Sequence, residues 1–180
     1  SHCNMGIIKE RDKIIEAIRS GVQMDIHMHT YYSDGELSPE EVIRKKMGEG
    51  NKLIAITDHD EINGSIEGME FVENSNEDVD YIIGVEFDSE FEYEYNGKTV
   101  TAKKVHILGY GMDPECPKLK EKLEYLREER EKRDGNLLAV LKEEYGVENI
   151  SWEDLVSISK KGFIGKPTFA KLLIDRGYAD

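Results

Sequence analysis

The stretch Val22-Gln23-Met24-Asp25-Ile26-His27-Met28-His29-Thr30 alternates apolar Met24, Ile26 and Met28 with polar Asp25, His27 and His29. A period of two marks a strand, with one face packed and the other turned elsewhere. Residues two apart on a strand point the same way, so His27 and His29 can reach one ion while Met24, Ile26 and Met28 face another layer. A strand whose polar face is merely solvated shows the same pattern. The choice between the two comes from the surrounding sequence.

Upstream, residues 7–19 (IIKERDKIIEAIR) bring Ile7, Ile14, Ile15 and Ile18 close to one helical face, and Gly21 acts as a stop. Downstream, Ser38-Pro39-Glu40-Glu41 has the form of a capping box with proline at the first helical position. It predicts a helix to about Gly48 or Gly50. The run "KLIAITDHD" (52–60) is short and apolar, as in a buried parallel strand. Residues 64–73 read as a helix, and "DYIIGVEFD" (80–88) as another buried strand. This strand–helix alternation predicts an α/β unit with a parallel sheet. Residues 90–108 alternate on both sides of Asn96-Gly97, the favoured two-residue hairpin turn, and the second arm carries His106. Beyond "GYGMDPECP" (109–117) the character becomes helical. Ser151 caps a short helix, and "PTFAKLLIDRGY" (167–178) forms a last one with Gly177 just past its end.

The 180 residues can bury a sizeable core, and 38% hydrophobic with 34% charged residues fits a soluble protein. No apolar run approaches the ~20 residues of a membrane helix, so no membrane partner is expected. The opening Ser1-His2-Cys3-Asn4 reads as a tail without a chemical role. Cys3 and Cys116 form neither a metal-ligand spacing nor a disulfide framework, and a reduced cytoplasmic setting is expected. A net charge of −14 argues against bulk nucleic-acid binding, which rests on a basic footprint. An anionic substrate then needs local cations or bound metal.

Besides His2, the histidines are His27, His29, His59 and His106, each at or near the C-terminal end of a predicted strand. Active sites collect at that edge of parallel α/β sheets. Carboxylates crowd the same edge: Asp34 follows the first strand, Asp58 and Asp60 flank His59, and Glu86 and Asp88 end the third strand. Each has an ordinary reading alone, as a turn, a helix cap or an ion pair. Their joint occurrence at successive strand ends points to a shared metal site. Mixed imidazole and carboxylate suits Zn, Mn or Fe, and a carboxylate such as Glu86 can bridge two ions for phosphoester hydrolysis.

The segments "DIHMHTYYSDGELSPEEVI" (25–43), "IAITDHDEINGSIEG" (54–68), "IIGVEFD" (82–88) and "KVHILGYGMDPECPKLKEKLEYLREEREKR" (104–133) resemble the first motifs of the PHP (polymerase and histidinol phosphatase) superfamily. They look most like its phosphoesterase branch of nucleoside 3′,5′-bisphosphate phosphatases and small-RNA exonucleases. The resemblance implies a distorted seven-stranded β/α barrel with a two- or three-metal cluster. This chain would supply its N-terminal half with a β-hairpin (23–112), preceded by a tail and helix (1–22) and followed by a helical insertion (113–180). It further implies His27, His29, Asp34, His59, Glu86 and His106 as metal ligands. Glu86, His59 and Asp58 are the catalytic candidates. The implied reaction is hydrolysis of a phosphate monoester, of a small nucleotide or a short RNA end, by a metal-bound hydroxide. Histidinol-phosphate phosphatase and a non-catalytic metal-binding or interaction module are the alternatives.

Two departures stand out. The family's later histidine-proline and Asp-x-His motifs are missing, since no histidine follows His106. The chain is therefore expected to be a barrel fragment with little activity alone, its open sheet edges inviting self-association. In "GKPTFAKLLIDRGY" (165–178), relatives usually read Gly-Arg-Pro-His, so Lys166 keeps the charge without the guanidinium fork. Arg127, Arg130 and Arg133, three apart on a helix, offer a basic comb or a solvated face. Arg130 and Lys166 are the substrate-binding candidates.

Overall fold

The computed structural model describes residues 7–180, the side chains of residues 7–10, 89–91 and 102–104 excepted. The tail Ser1–Asn4 and the side chain of Ile7 lie outside the described residues. The elements in chain order are α1 (Ile7–Ser20), β1 (Met24–Met28), α2 (Pro39–Gly48), β2 (Leu53–Ile56), α3 (Asn63–Asn74) and β3 (Asp80–Tyr81). They continue with β4 (Gly84–Tyr95), β5 (Lys98–Tyr110), α4 (Pro117–Tyr145), α5 (Trp152–Ile158) and α6 (Lys166–Asp175).

β1, β2 and β3 pair in that order as a parallel sheet, and β4 and β5 form an antiparallel ribbon. All four residues of β2 are buried, because helices cover both of its faces. On one side Ile54, Ile56 and Tyr81 pack with Val42 and Ile43 of α2 and with partly buried residues of α3. On the other side Leu53, Ala55 and Ile82 pack with Ala17 of α1. The fold is mixed α/β, and its two small sheets are not closed. A seven-stranded barrel is thus not what the described residues form. β1 and β5 each have one strand neighbour, and Tyr110 at the end of β5 reaches toward β1 by donating its hydroxyl to the Ile26 carbonyl at 2.5 Å.

The hairpin turns where Asn96-Gly97 directs it. Both residues have positive φ (51° and 70°), and Tyr95 pairs directly with Lys98. Its arms are longer than the sequence indicated. β4 runs on to Tyr95, so Glu86 and Asp88 stand within a strand rather than at its end. His106 likewise sits inside β5, directly opposite Asp88. The stretch 80–88 is also broken, because the ladder with β2 ends at Tyr81 and β4 starts at Gly84.

β1 departs from simple alternation. Its register passes from Asp25↔Ile54 to Met28↔Ile56, three residues against two, which is a β-bulge. Met24 and Ile26 therefore pack on the α1 side, whereas Met28 packs on the α2–α3 side. A single apolar layer was expected, and the extra residue splits it. Asp25 does not join the histidines either; its carboxylate pairs with Lys46 of α2 at 2.9 Å.

The capping boxes at Ser38–Glu41 and Ser151–Asp154 are both formed, each satisfying orphan helix donors for about 1 kcal/mol. The 29 residues of α4 make a rod about 43 Å long that serves two cores. Its first half sets Leu123 against Ile62, Ile83 and Val85. Its second half sets Leu138 among Val147, Ile150, Leu155, Ile164, Phe169 and Leu172. No helix of the described residues is long and apolar enough to cross a membrane.

Candidate metal centre

Past Ile56 the β2 backbone stays beside β4 through a single parallel bridge, His59↔Glu86. Glu86 N–H donates to the Asp58 carbonyl at 3.1 Å, and Asp60 N–H donates to the Glu86 carbonyl at 2.9 Å. This bridge fixes the two residues around which the others gather. Glu86 is 4% exposed, so its charge requires partners. Its Oε1 lies 2.8 Å from His27 Nε2. Its Oε2 lies 2.6 Å from His59 Nδ1, 3.4 Å from His106 Nδ1 and 3.9 Å from His29 Nε2. The two oxygens thus face different histidines.

His59 sits in the middle of the set. Asp34 Oδ2 is 3.2 Å from its Nε2, and Asp88 Oδ1 is 3.1 Å from its Nδ1. Asp88 Oδ1 is also 2.9 Å from His106 Nδ1. The His29 ring stacks on His59 with centroids 4.4 Å apart. Three overlapping groups bring donor atoms within 4.8 Å of one another: His59, Glu86, Asp88 and His106; His27, His29 and Glu86; and His29, Asp34 and His59. The six residues read from the sequence as ligands therefore converge. Asp88, noted there only as a neighbouring carboxylate, joins them. Its position two residues after Glu86 on one strand was the available signal.

The donor chemistry fits divalent metal. Imidazoles and carboxylates alternate around one point, and His29 Nδ1 is buried without a hydrogen-bond partner among the described residues. Without metal, protons take its place. Burial opposes charge on His59, but hydrogen bonds with Asp34 and Asp88 prevail and raise its pKa to about 10. Burial and the neighbouring His59 lower the pKa of His29. The hydrogen bond with His59 holds Asp34 below the ordinary carboxylate value.

The flanking aspartates have other partners. Asp58 is fully buried, and its carboxylate accepts from Thr30 N–H and Thr30 Oγ1, both at 2.7 Å, and from Ser33 Oγ at 2.5 Å. It ties the loop after β1 to the end of β2 and lies outside the three donor groups. Burial raises its pKa to about 6 against those hydrogen bonds. Asp60, with φ 49°, accepts from Asp88 N–H at 3.0 Å and pairs with Arg130 of α4. Arg130 is thereby committed: its guanidinium also stacks on Phe163 at 4.5 Å and reaches Asp88 at 4.0 Å.

A profile of the PHP domain matches residues 25–176. The chain belongs to the PHP domain family. It is 30% identical over 154 residues to the 3′,5′-nucleoside bisphosphate phosphatase of Chromobacterium violaceum, covering 86% of this chain and 50% of the relative. It is 28% identical over 155 residues to the 5′-3′ exoribonuclease Rnm of Salmonella typhimurium, covering 86% and 49%. The chain thus spans about half the length of the curated relatives it matches. Among solved structures it superposes on an amidohydrolase of C. violaceum, described with bound sulfate and no metal. That match has a TM-score of 0.65 and 29% identity, covering 86% of this chain and 50% of that one.

This PHP domain opens on a cavity of about 450 Å³ beside the cluster. Asp34, His59, Asp88 and His106 line one wall; Arg130, Arg133, Asp134 and Leu137 of α4, with Phe163 to Pro167, line the other. Lys166 starts α6 at the rim and is exposed. Neither Arg133 nor Lys166 makes a hydrogen bond or ion pair among the described residues. Of the basic comb Arg127, Arg130 and Arg133, the last two line this cavity; Phe163 is a residue that the sequence did not bring to the site, because nothing local links it to His59.

Proposed function

We propose that this PHP domain serves a metal-dependent phosphoesterase that hydrolyses phosphate monoesters of a nucleoside bisphosphate or a short oligonucleotide end. The observation that carries this reading is the division of Glu86, one oxygen toward His27 and the other toward His59, as a carboxylate shared between ion sites requires. Two or three divalent ions of the Mn, Fe or Zn class, when bound, supply the Lewis acidity that neutralises phosphoryl oxygens and activates water.

The chain's own residues do the rest. His27, His29 and Glu86 hold one position, and His59, Glu86, Asp88 and His106 a second; Asp34 contributes with His29 and His59. The exposed cations Arg133 and Lys166 face the cluster across the cavity and bind an anionic group of the substrate. Leu137, Phe163, Ile164 and Pro167 give that wall an apolar surface for the body of the molecule, and about 450 Å³ suits a mononucleotide-sized ligand. The relatives' names, a bisphosphate phosphatase and an exoribonuclease, support this class of substrate.

The test is phosphate release by Mn-loaded protein from a nucleoside 3′,5′-bisphosphate, a short 5′-phosphorylated RNA and histidinol phosphate, side by side. The nucleotide substrates should be turned over in preference to histidinol phosphate, slowly by this half-length chain alone, and Glu86→Gln should abolish turnover. Preference for histidinol phosphate, or an undiminished rate in Glu86→Gln, would overturn the reading.

A further inference from the structure

Arg130 was read from the sequence as a substrate contact, but its surroundings give it a different task. Its side chain is 12% exposed, and the Asp60 carboxylate that it meets is 1% exposed. Asp60 follows His59 directly and holds a left-handed backbone (φ 49°) that non-glycine residues rarely adopt. Three bonds hold it there: its N–H to the Glu86 carbonyl, its Oδ1 from the Asp88 N–H, and its other carboxylate oxygen to Arg130. Two of these lead to members of the metal cluster. Arg130 also stacks on Phe163, whose ring lies 6.3 Å from that of His59 at 23°. Its partners Asp60, Asp88 and Phe163 thus each belong to the cluster or lie against one of its members.

We propose that Arg130 is a positioning residue. From α4 it locks Asp60, and through Asp60, Asp88 and Phe163 it fixes the His59–Glu86–Asp88–His106 ion position, leaving the His27–His29–Glu86 position untouched. The proposal rests on reading the cluster as a metal site. Loss of an outer partner of metal ligands weakens binding roughly 10–100-fold. The loss here falls on one class of site.

The experiment is titration of the protein with Co²⁺, followed by calorimetry and by the visible absorption of the bound ion. Wild type, Arg130→Met, Arg130→Lys and the double variant Asp60→Asn/Arg130→Met are compared. Arg130→Met should bind one class of ion roughly 10–100-fold more weakly with a changed spectrum, while the other class keeps its affinity. Arg130→Lys should restore part of the loss, since an ammonium can pair with Asp60 but lacks the planar fork that also stacks on Phe163. The double variant also removes the Asp60 charge that Arg130 pairs, so it carries the test if Arg130→Met fails to fold, and it should show the same selective weakening. Wild-type Co²⁺ affinity and spectrum in folded Arg130→Met or in the double variant, with only a raised KM, would make Arg130 a substrate contact and overturn the proposal. A wild-type protein that binds no Co²⁺ would instead sink the metal reading itself.

Discussion

On the strand side of the cavity, His59, Asp88, His106 and Glu86 engage one another at 2.6–3.4 Å on a backbone tied by ladder hydrogen bonds. On the helix side, Arg133 and Lys166 extend from α4 and the start of α6 without a hydrogen bond or ion pair among the described residues. The strand wall packs charge tightly and fixes it; the helix wall presents charge on long, rotatable stems. Ion binding needs the first arrangement, since ligand distances tolerate only a few tenths of an ångström. Recognition of a flexible phosphorylated molecule is served by the second. The acidity of the chain sharpens the contrast, because uncommitted cations at the cavity are the places where an anion gains most.

The largest effect should come from the strand wall. Glu86→Gln removes the charge common to two donor groups, and Mn²⁺ affinity measured by calorimetry should fall by more than the roughly 100-fold that loss of an outer partner costs. Lys166→Ala should leave that affinity unchanged; equal losses in the two variants would erase the distinction between the walls.

One substitution should have opposite signs behind the strand wall, where α3 begins, and on the helix wall. A Cβ on Gly64 would meet the Asp58 carboxylate and lie 2.9 Å from Thr30 Oγ1, so Gly64→Ala should destabilise by about 1–3 kcal/mol in urea unfolding. A Cβ on Gly135 of α4 would meet nothing within 4 Å, and Gly135→Ala should stabilise by up to about 1 kcal/mol through helix propensity.

Smaller effects belong to the charged helix residues. Arg133→Ala and Lys166→Ala should each raise KM for a nucleoside bisphosphate about tenfold while stability stays within about 0.5 kcal/mol. Asp134 gives the smallest shift. Burial raises its pKa to about 6 against the nearby charges of Arg130 and Arg133, and its Oδ2 has no hydrogen-bond partner among the described residues. A folded-state pKa above the unfolded value means that the native chain holds the proton more tightly. Stability from this group is full below about pH 4 and is lost as pH rises through about 6. Asp134→Asn should therefore raise Tm by a few degrees at pH 8 and make no difference below pH 4; the reverse pH dependence would refute the burial argument.

Much of this was legible because it is local. Asn96-Gly97 specifies its turn, Ser38 with Glu41 specifies its cap, and the histidines and carboxylates that converge were identifiable by type. What the sequence hid is relational. Nothing in the unbroken alternation of Met24 to Met28 shows a bulge, which depends on the partner strand. Asp58 and Asp60 look equivalent beside His59, yet one is enclosed by Thr30 and Ser33 and the other meets an arginine 70 positions away. The closure of the sheet was also beyond local reading. It depends on strand edges whose neighbours alternation cannot name.

The bulge in β1 makes the length of that strand a functional quantity. Losing Ile26 would leave two residues against two between the Asp25↔Ile54 and Met28↔Ile56 pairs, so both pairs would survive in a regular ladder and every residue from Met28 onward would keep its face. His27 would then fall into the place where Ile26 packs beside Leu53 and Ala55, away from Glu86. At the level of the gene, a three-nucleotide deletion of the Ile26 codon would spare the fold of this strand and cost the cluster one imidazole.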